Sequence, residues 1–225
     1  MKFDVITLFK DIITSYCSES IIKRATDEGL IDVNVINPRD FSEDKHKKVD
    51  APPYGGTAGM VLQCQPIFDA YESIKKEDDF EFIMLTPQGE KFNQKIAVEL
   101  SKKKQIILLC GHYEGFDERI RIGLRPREIS IGDYVLTGGE LPALCIIDSV
   151  SRNIKGVLGK DESSEFDSFS EGINGLLEHP QYTRPREYRG MKVPDVLLNG
   201  NHAEIEKWRL NERIKRTRDR RSDLL

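Results

Sequence analysis

Two apolar segments joined by a helix of about a dozen residues constrain this chain more than any other feature. Residues 80–86 and 105–110 are dense in β-branched and long aliphatic side chains. Residues 91–103 between them set Phe92, Ile96 and Leu100 on one helical face. A connection of that length cannot close a hairpin, so the two strands must run parallel in a sheet that helices cover. The N-terminus repeats the pattern. Residues 3–8 and 31–36 read as strands, and Phe9, Ile12, Ile13, Tyr16 and Ile21 recur between them at helical spacing, with Gly29 placed to stop the helix. A further strand is expected over 128–136. Pro142 should then open a helix running to about Gly156 that buries Leu144, Ile147, Val150 and Ile154. The fold class that follows is α/β with a mostly parallel sheet.

Composition narrows the function. The longest apolar runs, 106–110 and 144–147, fall far short of the roughly 20 residues of a membrane span. Asp4 stands where a signal peptide needs an apolar stretch. Cys17, Cys64, Cys110 and Cys145 lie far apart without a CxxC, which argues for reduced thiols in a cytoplasmic protein and against a disulfide scaffold or zinc finger. The net charge of −4 conceals an asymmetry: residues 181–225 carry 12 Lys/Arg against 7 Asp/Glu, while the rest is acidic. A basic end on an acidic protein suggests a polyanionic partner for that segment, or simply a solvated basic helix.

The texture changes near Gly159. Residues 160–175 are rich in Ser, Gly and acids, as linkers and mobile loops are. A Pro- and Arg-rich stretch follows at 179–185, then a last helix for which Asn201 and Glu204 offer a capping box and Ile205, Trp208 and Ile214 the apolar contacts. Its basic end, 213–221, should be solvated. The expected organisation is an α/β domain over 1–160, a flexible acidic linker over 161–174 and a small helical domain with a basic face over 175–225.

Three strand ends run into glycine-containing loops, at 85–89, 110–115 and 131–142. In open α/β sheets ligands sit beyond such strand ends, and glycine lets backbone groups approach them. None of the loops is a GxGxxG or a P-loop, which disfavours a nicotinamide cofactor or a nucleoside triphosphate. Each alone reads as an ordinary turn; together they favour a small-molecule pocket built from backbone. A fourth loop, 52–60, preceded by Lys45, Lys47 and Lys48, is either a substrate lid or a structural turn.

Taken together the loops carry a signature: Pro-Tyr-Gly-Gly-Thr-Ala-Gly-Met at 53–60, Thr-Pro-Gln-Gly at 86–89 and Cys-Gly-His-Tyr-Glu-Gly-Phe-Asp-Glu-Arg at 110–119. It continues as Ser-Ile-Gly-Asp-Tyr-Val-Leu-Thr-Gly-Gly-Glu-Leu-Pro at 130–142, Asp-Ser-Val-Ser-Arg at 148–152 and Tyr-Thr-Arg-Pro at 182–185. In this the chain closely resembles, over essentially its whole length, the bacterial tRNA (guanine-37-N1)-methyltransferase family of the SPOUT class. The resemblance implies a deep trefoil knot in the second part of the first domain, contrary to the general absence of threaded loops. It implies an S-adenosyl-L-methionine pocket formed there by Leu85, Pro87, Gly111, Tyr113, Ser130, Ile131, Gly132, Tyr134, Leu136, Gly138, Gly139 and Pro142. It also implies a homodimer with shared active sites and a tRNA substrate whose anticodon stem-loop presents guanosine 37.

The residue roles come from the same resemblance. Asp167, followed by Ser168-Phe169, matches the family's general base, Arg152 its arginine at the guanine O6, and Glu114 a contact to the target guanine. Gly59 and Arg184 match further substrate-binding positions, and Arg186, Arg189, Lys192 and Lys215 are candidate phosphate contacts. Without the resemblance Asp167 reads as a solvated loop carboxylate, Arg152 as a surface ion-pair partner, and Tyr113 and Tyr134 as core aromatics. His112 reads as structural or as a pocket wall rather than a metal ligand. A magnesium dependence is also implied, but no carboxylate cluster with ligand spacing stands out, so no metal residue is assigned. The segment between Phe169 and Tyr182 is a few residues longer than the family pattern. Three rival readings stay open on the residues themselves: methylation of another RNA position such as a ribose 2′-hydroxyl, a nucleic-acid-binding module whose glycine loops are only turns, and a small-molecule enzyme with an incidental basic tail.

Overall fold

The computed structural model describes residues 1–159 and 166–225. The acidic head of the expected linker, 161–165, lies outside the described residues. The chain divides into two compact units, Met1–Gly159 and Lys160–Leu225.

In the first unit β1 (Lys2–Ile6) is followed by α1 (Lys10–Cys17), α2 (Ser20–Asp27), β2 (Asp32–Ile36), β3 (Asp50–Ala51), β4 (Val61–Leu62) and α3 (Cys64–Ser73). Then come β5 (Phe80–Lys91), α4 (Gln94–Leu100), β6 (Gln105–Cys110), α5 (Glu118–Leu124), β7 (Arg127–Ser130) and α6 (Glu140–Ser151). The main sheet has five strands in the order β2-β1-β6-β5-β7, and every pairing in it is parallel. β6 lies at its centre with all six residues buried. Alternate side chains feed two cores. Phe3, Val5, Ile83, Ile106, Leu108 and Ile129 meet α1, α2, α4 and α6 on one face, while Ile6, Met84, Ile107 and Leu109 meet α3 and α5 on the other.

Several boundaries depart from expectation. The N-terminal helix is two helices, broken at Ser18 and Glu19, and Ser20 takes a φ of +53°. Of its expected stripe only Ile13 is fully buried, whereas Phe9, Ile12 and Tyr16 are 40–45% exposed. Two of them have partners away from the sheet: the Phe9 ring stands 4.8 Å from that of His112, and the Tyr16 hydroxyl donates to Asp148, in the second half of α6, at 2.6 Å. β5 runs on past residue 86, because residues 86–89 loop out between two registers on β7 in which Leu85 and Glu90 both face Ile129. Gly89 permits this, since a Cβ there would collide with the backbone of Glu128 and Ile129. α4 starts only at Gln94, because the Phe92 N–H still donates to Ser130 O at 2.8 Å and Asn93 caps the helix through the Ile96 N–H. The strand expected over 128–136 stops at Ser130, whose hydroxyl donates to Gly132 O at 3.0 Å and turns the chain away. α6 begins two residues before Pro142, which is tolerated in a first turn because that N–H would have no intrahelical acceptor.

In the second unit, part of the expected linker is structured: residues 171–173 form a 3-10 turn with Ile173 buried, and the Phe169 N–H donates to Leu176 O at 2.9 Å. A hairpin of β8 (Glu187–Tyr188) and β9 (Met191–Lys192) follows, its turn made by Arg189 and Gly190 at φ of +50° and +77°. α7 (His202–Arg220) is capped by Asn201, which accepts from the Glu204 N–H at 3.4 Å. The Glu204 carboxylate accepts from Asn199 instead of closing the capping box. Within the basic tail Thr217 is buried, donating to Arg213 O at 2.8 Å and accepting from the Leu177 N–H at 2.9 Å.

Candidate active site

Parallel pairing places the carboxyl ends of β5, β6 and β7 side by side, and the loops leaving them enclose a cavity of about 350 Å³. All twelve residues expected to bind the methyl donor line it. Leu85 and Pro87 come from the bulge of β5, and Gly111 and Tyr113 from the turn after β6. Ser130 closes β7, Ile131, Gly132, Tyr134, Leu136 and Gly138 form the long loop, and Gly139 and Pro142 stand at the start of α6. The long loop is tied back onto the β6 turn: His112 pairs with Gly138, and the Gly139 N–H donates to Gly111 O at 2.8 Å. The approach is close enough that a Cβ on Gly139 would lie 2.6 Å from the Cα of Cys110. Tyr113 and Tyr134 are 44% and 56% exposed, so they are cavity aromatics and not core residues.

Thr86 and Phe116, within the quoted loops but given no role there, and Arg121, outside them, also line the cavity. The Arg121 guanidinium is held by Glu118 on its own helix and by Glu128 of β7, each at 2.9 Å, and the second pairing is one no local pattern announces. Asp117 caps α5 by accepting from the Arg119 N–H at 3.0 Å, and the Arg119 guanidinium holds its carboxyl well below the usual range. Burial, with Glu140 as a second cause, pushes the Cys110 thiol well up, so it is an inert core thiol. His112 packs between the rings of Phe9 and Tyr113 with its Nδ1 enclosed.

The loop at 52–60 is attached to this turn. The Glu114 N–H donates to Met60 O and the Leu62 N–H to Gly115 O, each at 2.9 Å. Gly59, at φ +100°, lies so close to Glu114 that a Cβ would reach 2.6 Å from its carboxylate oxygen. The structure thus brings Gly59 and Glu114 together, while Tyr54 at the loop tip is fully exposed. Arg152 stands at the C-terminal cap of α6 in the first unit, partly buried. Asp167 belongs to the second unit, where its carbonyl accepts from the Ser170 N–H at 3.1 Å. Arg184, Arg186, Arg189 and Lys192 are exposed on and beside the hairpin, where Tyr182, Arg184, Tyr188, Met191 and Lys192 border a shallow hollow. Among the described residues no group of three or more His, Cys, Asp or Glu could hold a metal ion, and none of the helices is long and apolar enough to cross a membrane.

The whole chain, residues 1–225, matches the family model described as tRNA (Guanine-1)-methyltransferase TrmD. It is 56% identical over 227 residues to a tRNA (guanine-N(1)-)-methyltransferase of Anoxybacillus flavithermus, covering all of this chain and 91% of that protein. A protein of the same description from Dehalococcoides mccartyi is 56% identical over 226 residues, covering 100% and 90%. One from Clostridioides difficile is 55% identical over 227 residues, covering 100% and 97%. With its loops assembled around one cavity and its full length aligned to these relatives, the chain belongs to the tRNA (guanine-1)-methyltransferase family.

Proposed function

We propose that the chain methylates N1 of guanosine 37, beside the anticodon of tRNA, using S-adenosyl-L-methionine as donor and acting as a homodimer with shared active sites. One observation carries the reading: in a chain of this family the three glycine loops close around a single cavity. Its volume of about 350 Å³ suits a ligand of nucleoside size. Its walls combine glycines with aliphatic and aromatic side chains, which suit an adenosyl group, and a SPOUT-type trefoil knot would shape it. The donor, when bound, supplies a methyl group already activated on a sulfonium.

The remaining work falls to the protein. Guanine N1 carries its proton at neutral pH, so a base must take it as the methyl group arrives. Asp167 is that base. Negative charge then develops towards O6, and the Arg152 guanidinium stabilises it. Glu114 accepts hydrogen bonds from the guanine edge, and Gly59 leaves room for the Glu114 side chain. The base reaches the cavity unstacked from its neighbours. Residues 1–160 form the catalytic domain, 161–174 the linker, and 175–225 the tRNA-binding domain. In that last domain Arg184, Arg186, Arg189, Lys192 and Lys215 contact phosphates, positioning the RNA without reading sequence. No step is assigned to magnesium. A cytoplasmic location accords with the substrate.

Single-turnover transfer from labelled S-adenosyl-L-methionine to tRNA transcripts carrying guanine or adenine at position 37 tests the reading. Label on the guanine transcript alone, with a primer-extension stop at that base, is the expected result. Label on both transcripts moves the target elsewhere, and label on neither rejects the activity.

A further inference from the structure

Glu140 has no part in the chemistry above, yet it stands directly behind the cavity wall and is only 4% exposed. Its Oε1 accepts from the Thr7 hydroxyl at 2.6 Å. Thr7 itself is buried and accepts from the Phe9 N–H at 3.0 Å, so its hydroxyl proton is committed to the carboxylate. Oε2 points the other way, against Gly138, in the space where a Cβ on that glycine would meet both Glu140 and His112 Nδ1. Gly138 and His112 both line the cavity. The donor to the carboxylate is a neutral hydroxyl, and the residue opens α6, whose N-terminal end favours negative charge. Its field reaches the strand beneath the cavity, where it adds to burial in raising the Cys110 thiol. Of the charged residues that line the cavity, Arg121 is engaged by Glu118 and Glu128, each at 2.9 Å, and Glu114 lies against Gly59.

We infer that Glu140 makes the cavity charge-selective, its carboxylate favouring a cationic sulfonium ligand over the neutral thioether left after methyl transfer. The inference rests on the reading that this cavity takes S-adenosyl-L-methionine. The two ligands share the adenosine and amino-acid groups, so those contributions cancel in the ratio of their affinities. When the methyl group departs the ligand loses its positive charge, the attraction ends, and the product is released more readily than the donor.

Glu140→Gln keeps the side-chain shape and an oxygen able to accept from Thr7. Calorimetric titration of S-adenosyl-L-methionine and S-adenosyl-L-homocysteine into the full-length protein and this variant reads the charge alone. The variant should lose about tenfold in affinity for the sulfonium and stay within about twofold for the thioether, the scale of one charge–charge interaction in a partly screened site. Thr7→Val, which removes the tether but not the charge, should shift both ligands alike. Equal losses for both ligands in Glu140→Gln, or an unchanged sulfonium affinity, overturn the inference while leaving the cavity's assignment intact. A wild-type protein that binds neither ligand overturns both.

Discussion

Replacing Gly139 with alanine isolates the contact that closes the cavity. The glycine has φ −84° and ψ −3°, a conformation alanine adopts freely, so any cost comes from contact and none from backbone strain. The added Cβ would lie 2.6 Å from the Cα of Cys110 and 2.8 Å from the Gly111 nitrogen. Both atoms are backbone at the end of the central strand, so neither can swing aside as a side chain would. Ordinary contact requires the start of α6 to retreat by about 0.8 Å. The Gly139 N–H to Gly111 O hydrogen bond, now 2.8 Å, then stretches past useful length. Overpacking of this kind costs about 1–3 kcal/mol and the lost hydrogen bond about 1 kcal/mol. If the loop yields, S-adenosyl-L-methionine affinity falls by roughly 30- to 1,000-fold. If folding yields instead, the melting temperature drops by roughly 5–15 °C. Calorimetric binding and thermal unfolding, measured on Gly139→Ala beside a Gly159→Ala control whose Cβ meets nothing within 4 Å, divide the cost between the two. A Gly139→Ala protein with wild-type affinity and wild-type melting temperature refutes the reasoning.

Asp167→Asn should leave S-adenosyl-L-methionine binding within about twofold while lowering single-turnover methyl transfer by about 10²- to 10⁴-fold; an undiminished rate removes Asp167 as the base. Burial, reinforced by Arg213 and Arg209, pushes the His179 imidazole below its ordinary value. The unfolded chain therefore binds this proton first, and stability should fall as the pH drops below about 6.5. His179→Gln should flatten the melting-temperature profile between pH 7 and 5, and an unchanged slope counts against the assignment. Replacing Arg184 and Lys192 together with alanine should reduce the slope of log affinity for tRNA against log salt by roughly 1.5, as two lost phosphate contacts would. The same slope in wild type and variant would place the RNA elsewhere.

The sheet was readable where burial and punctuation coincide. Gln105–Cys110 is apolar throughout after its first residue and is followed at once by Gly111, and its bounds are those expected. Apolar character alone misleads at 131–136, because a cavity wall and a buried strand draw on the same residues. There the Ser130 hydroxyl and Gly132 end the strand, and Tyr134, Val135 and Leu136 are left exposed beside the cavity. Phe9, Ile12 and Tyr16 show the same ambiguity in and beside α1: their spacing fits a core stripe, yet all three are exposed, Phe9 against His112 and Tyr16 bonded to Asp148 of α6. The extension of β5 through Pro87 and Gly89 was illegible because pairing with β7 sustains it, and that pairing lies some forty residues away. The cavity-lining residues were found through resemblance, since each loop alone is an ordinary turn. Glu140 had no local signal, because its partner Thr7 is 133 positions distant.

The order β2-β1-β6-β5-β7 also sets a schedule for synthesis. The first strand made is an interior one, and its second neighbour spans Gln105–Cys110. At about 5–20 residues per second, several seconds separate the synthesis of Lys2–Ile6 and Asp32–Ile36 from that of β6, the strand that stands between β1 and β5 in the finished sheet. During that interval Phe3, Val5 and Ile6 have no sheet to bury them. Substitutions that weaken the first forty residues should therefore show more strongly in the yield of soluble protein at high expression rates than in the melting temperature of the molecules that complete the sheet.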